Sequence, residues 1–185
     1  MEVLEARGNN FMDYLYHRVP KNMSGTVLYP LNVLKQTHPE IYATHVKKYD
    51  DRQHLLTAEV LPLHCLWNDV LHFTAVSPHE LKTNLAKAGV EIDPISWYKI
   101  PVSMIEGDKS IAFIYRRDQS IIPNFKEYET FDLKRMNVYR QVPEETIEYY
   151  KQKKAEGMRP LLFHLVPHIL YKGSIDINGF EIITI

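Results

Sequence analysis

LPLHCLWNDVLHFTAVSPHELKTNLAKAG, residues 61–89, is the stretch whose reading decides the fold. Within it, residues 70–76 set Leu71, Phe73 and Ala75 against Val70, His72 and Thr74, the period-two pattern of a strand. Ser77-Pro78-His79-Glu80 then forms a capping box, with Leu81 and Leu85 on one helical face and Gly89 as the stop. A strand that feeds directly into a helix is therefore expected. The same stretch holds three of the nine histidines and the only cysteine, so polar groups capable of chemistry sit inside a run that otherwise reads as core.

Working outward, residues 11–19 read as a first strand ended by Pro20, after a polar lead-in over residues 1–10. Thr37-His38-Pro39-Glu40 reads as another capping box, with Ile41, Tyr42, His45, Val46 and Tyr49 at helical spacing and an end near Asp50 and Asp51. Residues 97–105 and 110–116 read as two strands of a hairpin turning across Glu106-Gly107-Asp108-Lys109. Around Ile121 to Asn124 an exposed loop is expected. Pro143 opens a helix that Gly157 closes after the basic run Lys151 to Lys154, which reads as a solvated helix end. Residues 161–166 and 169–171 read as strands, and residues 175–185 as a hairpin across Asn178-Gly179. Helices and strands do not alternate strictly. The expectation is an α+β fold, one domain over residues 11–185, with a mixed, mostly antiparallel sheet and three to four helices.

With 185 residues, 45% of them hydrophobic, the chain can bury about 70% of its unfolded surface without a metal or disulfide staple. Twelve tyrosines against seven glycines favour sheet and pocket walls. A net charge of −1 supplies no bulk drive toward nucleic acid. A single cysteine suits a reducing compartment, and no apolar run reaches the ~18 residues of a membrane span. The N-terminus lacks a basic and apolar signal, so a cytoplasmic protein with no membrane partner is expected, delivery by a signal-less route staying open.

No GxGxxG, P-loop, HExxH, CxxC or GxSxG pattern occurs. Cys65, Asp69 and His72 would share one face of a helix and could ligate zinc, but the strand at residues 70–76 scatters them. Cys65 as a nucleophile would need a neighbouring base, and His64 on a strand points to the opposite face. Both metal and thiol readings yield to that of ordinary core groups, and no metal is expected. His17 and Arg18 end the first strand, where side chains reach a cleft mouth, and Arg18 suits a phosphate. The competing reading is a solvated strand end. His168, beside Pro167, is either ligand-facing or a hydrogen-bonded structural group.

His17 on the first strand, the strand-to-helix step from Val70 to Leu81 and the late strand near His168 follow one order. In that layout the chain resembles ADP-ribosyltransferase-like domains, in particular toxin-type nucleic-acid ADP-ribosyltransferases and tRNA 2′-phosphotransferases. The resemblance spans most of the chain and rests on element order plus a V-x-F-x-x-x-S-P-x-x-L pattern, matched by Val70, Phe73, Ser77, Pro78 and Leu81 with one residue extra. It implies NAD as cofactor, His17 and His168 as catalytic candidates, and Tyr16, Arg18, Trp67 and His72 as cofactor-binding candidates. Val76 stands where the family has Arg, and His168-Ile169-Leu170-Tyr171 where it has the catalytic Glu. Glu181, two strands later, is a poor substitute. The alternatives are a non-enzymatic module that docks a protein through its Tyr-rich face and a small metal-dependent hydrolase using the clustered histidines. Within residues 61–89 the histidines are not expected to converge with one another. His72 is expected to face the first and late strands instead.

Overall fold

The computed structural model describes residues 13–115 and 127–185. In chain order its strands are β1 (Tyr14–Arg18), β2 (Val27–Leu28), β3 (Glu59–Val60), β4 (Cys65–Leu66), β5 (Leu71–Phe73) and β6 (Ser96–Pro101). They continue with β7 (Ser110–Phe113), β8 (Tyr128–Thr130), β9 (His168–Tyr171), β10 (Ile175–Asp176) and β11 (Glu181–Thr184). Helices α1 (Leu31–Thr37), α2 (Pro39–His45), α3 (Pro78–Lys87) and α4 (Glu144–Ala155) are the longer ones, joined by shorter helical turns. The class is α+β. Every recorded strand pair is antiparallel. No helix among the described residues is long and apolar enough to cross a membrane.

Two sheets frame the molecule, one in the order β1-β6-β11 and one in the order β5-β9-β7-β8. They meet where the Tyr16 N–H donates to the Thr74 carbonyl at 2.8 Å and the Thr74 N–H returns a bond to Tyr16 at 3.0 Å. Strand alternation divides the core around this junction. Leu15, Tyr98 and Ile100 of the first sheet share one cluster with Leu71, Phe73, Ala112, Ile169 and Tyr171 of the second. The opposite face of the first sheet carries Trp97 and packs with Leu81, Leu85 and Tyr150. Across the second sheet, Ile111, Phe113 and Leu170 pack with Val60, Leu63, Trp67 and Val70.

Helix α3 follows its start signal closely: the Ser77 hydroxyl accepts from the Glu80 N–H at 3.1 Å, and Gly89 at φ +67° ends the run. At α2 the local signal misleads. Thr37 lies in α1 and bonds back to the Val33 carbonyl, and His38 caps α2 without a side-chain bond. The first strand is confined to Tyr14–Arg18 within the described residues, and β5 to Leu71–Phe73.

Three further expectations are corrected. β6 and β7 do not form a hairpin, because β6 lies in the first sheet and β7 in the second. The chain between them crosses from one to the other through helical turns at Val102–Met104 and Gly107–Lys109. The Asn178-Gly179 turn forms, with Gly179 at φ +77°, yet β10 pairs with β2 and β11 with β6. Residues 161–166 form a turn and not a strand, with Leu165 at φ +59°. Their apolar pattern serves packing instead, since Leu162 and Phe163 lean on the cluster around Trp97. The loop expected around Ile121 to Asn124 lies outside the described residues.

Candidate ligand recess

His72 and His168 come from β5 and β9 and meet on one face of the second sheet, whereas His17 of β1 faces the other side. His72 pairs in register with Leu170, so His168, two residues before Leu170, occupies a diagonal position on the same face. Their ring centres lie 6.2 Å apart. The Trp67 ring stands 4.7 Å from that of His72, while Tyr115 and Phe163 flank His168 at 5.7 and 5.8 Å. The His17 ring packs against Phe73 with centres 5.6 Å apart, on the other face of β5 from His72.

Each imidazole is tied to a backbone carbonyl. His72 Nε2 lies 2.9 Å from the Trp67 oxygen, His168 Nδ1 2.7 Å from that of Val166, and His17 Nδ1 2.7 Å from that of Arg18. A carbonyl only accepts, so the bonded nitrogen carries the proton in every case. Nδ1 of His72 and Nε2 of His17 and His168 are thereby left as acceptors.

Burial is the main cause that drives His72 down to about 3, with the neighbouring His168 and the Lys48 charge adding to it. It drives His17 and His168 down to about 4, each partly opposed by its carbonyl bond. All three residues are half-buried. Burial likewise pushes the Tyr115 phenol up to about 12, with the Glu127 carboxylate contributing. An imidazole that stays neutral to about pH 4 is an acceptor near neutrality and a weak general base. Such a ring accepts a hydrogen bond more readily than it moves a proton.

The remaining sequence candidates divide. Trp67 packs beside His72 but is only 7% exposed, so its ring is already covered by protein. Tyr16 and Arg18 sit on the opposite side of β1 from His17: Tyr16 packs with the cluster around Trp97, and Arg18 is exposed. Period-two alternation cannot place His17 and either neighbour on one strand face. Glu181 pairs with Lys99 across β6 and β11, beside Tyr16. Val76 is buried.

No protein family, curated protein or solved structure matches this chain. What the His72 and His168 pair does must be argued from its side chains.

The thiol and metal readings find other uses for their residues. Burial raises the Cys65 thiol, and its side chain packs beside Val60 and Trp67. The Asp69 carboxylate accepts from the Leu66 N–H at 2.7 Å and from Asn32 at 2.8 Å, which fixes the turn before β5. His64 and His79 are exposed. Among the described residues no group of three His, Cys, Asp or Glu side chains is placed to hold a metal ion.

Sequence reasoning passed over Tyr115 and Phe163, which read as ordinary strand positions. Only the tertiary arrangement sets them beside His168.

Proposed function

We propose that this chain is an ADP-ribosyltransferase-like domain that binds NAD or a related nucleotide beside His72 and His168. The observation that carries the reading is the pairing of His72 and His168, each neutral and each held by a backbone carbonyl with one nitrogen left to accept. Ribose hydroxyls and a carboxamide NH2 are donors that such nitrogens bind well. Partly exposed aromatic side chains at Tyr115 and Phe163 supply a flat surface for a base or a nicotinamide ring.

Transfer from NAD passes through an oxocarbenium-like state that a positioned carboxylate stabilises. Where the family's late strand carries its catalytic Glu, this chain has His168-Ile169-Leu170-Tyr171, with no carboxylate. The reading is therefore binding first, with NAD or ADP-ribose as ligand. Calorimetric titration of the full chain with NAD and with ADP-ribose tests it. Saturable heat for either supports the proposal, and no heat for both at millimolar concentration removes it.

A further inference from the structure

Tyr16 and Thr74 bridge the inner edges of the two sheets, so β11 and the three-residue β8 are the outer edges among the described residues. Which main-chain groups of β11 are free follows from its ladder. Ile185 and Ile95 exchange two hydrogen bonds, N–H to carbonyl in each direction at 3.0 Å. In an antiparallel ladder such pairs recur at every second residue, so Ile183 with Trp97 and Glu181 with Lys99 are the next. The N–H and C=O of Ile182 and Thr184 therefore point away from β6. Ser96, opposite Thr184, fits this phase, because its carbonyl accepts from the Val19 N–H at 2.8 Å on the side of β1. No main-chain bond reaches Ile182 or Thr184 from the open side among the described residues.

Soluble proteins blunt such an edge with lysine, proline or a bulge. Strand β11 carries none of these. It reads Glu-Ile-Ile-Thr, pairs with β6 over four consecutive positions and leaves Ile182 53% exposed. Its one charge, Glu181, lies at the start of the strand and is already paired with Lys99 at 2.8 Å. The pattern is also self-complementary. Turned about a twofold axis at Ile183, a second β11 sets Ile182 of each copy opposite Thr184 of the other. Both are outward-facing positions, so each pair exchanges two main-chain bonds, four in all. Ile183 meets its own copy at the centre and Glu181 meets Ile185, so no like charges oppose each other. Apart from Glu181, every side chain brought together is β-branched, a class that packs well across strands. Such an interface uses the same patch on both copies and closes on itself as a dimer.

We infer that β11 is a docking edge for a second copy of this chain, which joins two three-stranded sheets into one of six strands. Strand pairing alone covers less than the ~1,600 Å² of a standard interface, so the association is reversible. The pairing is independent of any ligand beside His72 and His168.

Sedimentation equilibrium of the full chain from micromolar to millimolar concentration, with amide hydrogen exchange followed by NMR, tests it. A monomer–dimer equilibrium is expected, with the Ile182 and Thr184 amides protected in proportion to the dimer. Ile182→Lys should weaken the dimer at least tenfold. So should Ile182→Pro, which removes an N–H that β6 does not use. Thr184→Val keeps the main chain and a β-branched side chain, and should leave the dimer within a factor of two. Unchanged circular dichroism in the variants separates lost pairing from a folding defect. A wild type that stays monomeric at millimolar concentration overturns the pairing, whether its two amides are open or covered by another part of the chain. A dimer with those amides unprotected, or one that Ile182→Lys leaves intact, overturns it too.

Discussion

The imidazoles of His72 and His168 stand edge to face, at 85° with ring centres 6.2 Å apart, as diagonal neighbours on adjacent antiparallel strands. Each is anchored to its own carbonyl, so the pair does not close into a hydrogen bond or a metal site. Protonating either ring would set a charge beside the other in a desolvated place. Two neutral rings facing a shared space are the stable state near neutral pH.

Stability should follow from that arrangement. An unfolded histidine takes its proton near pH 6.5, whereas in the fold His17 and His168 take theirs near 4 and His72 near 3. The unfolded state thus binds more protons through this window, and stability rises with pH there. The contribution is complete above pH 6.5 and is lost as the pH falls through the folded values. Melts from pH 7.5 down to 4 should show a descending midpoint, with a shallower descent for His72→Phe. A flat midpoint from 6.5 to 4 in the wild type contradicts the buried neutral rings.

Ligand binding should separate the two faces at β5. His72→Phe and His168→Phe keep a flat ring in place and remove the accepting nitrogen, so each should weaken ADP-ribose about tenfold, or about 1.4 kcal/mol for one good hydrogen bond. His17→Phe should leave affinity within a factor of two, because that ring packs on Phe73 at the other face. Titration calorimetry on the three variants decides it. A larger loss for His17→Phe than for His72→Phe would reverse the assignment.

Helix α3 connects sequence and stability most directly. Ser77→Ala removes the bond to the Glu80 N–H, and should cost about 1 kcal/mol, with Ser77→Gly costing only a few tenths. For a chain of this length that is a lowering of about 2–4 °C in Tm. Thermal melts followed by circular dichroism resolve such a shift, and an unaffected Ser77→Ala midpoint would show that the cap carries no stability.

Tyr150 couples helix α4 to the turn at residues 161–166. Its hydroxyl donates to the Leu162 carbonyl inside the cluster around Trp97. Tyr150→Phe leaves the ring packed and the carbonyl without its partner, a loss of about 1–3 kcal/mol for a buried group. Thr146 makes a parallel tie to the His164 carbonyl at 2.8 Å. Urea unfolding should show the Tyr150→Phe midpoint lowered with little change in slope. An unchanged midpoint would mean that water replaces the hydroxyl.

Local chemistry was legible wherever neighbours in sequence decide it. Ser77, Pro78 and Gly89 delimit α3, Pro143 and Gly157 delimit α4, and alternation from Tyr14 to Arg18 marks β1. The α+β class follows from the same signals. Asn178-Gly179 shows the limit of such reading. Its turn chemistry fixes a reversal of direction, but the partners of β10 and β11 are chosen by which buried face each strand completes, β10 beside β2 and β11 beside β6. Residues 161–166 were misread for a related reason: apolar side chains at close spacing fill a cluster equally well from a turn.

The candidate site divides along the same line. His17, His72 and His168 stood out as polar groups within apolar strands. The meeting of His72 with His168, the carbonyl that holds each ring, and the separation of His17 from the pair arise from strand order and sheet packing. Pairing between distant segments is set by the total burial it allows and by backbone hydrogen bonds across the ladder, and no short stretch of sequence carries either quantity.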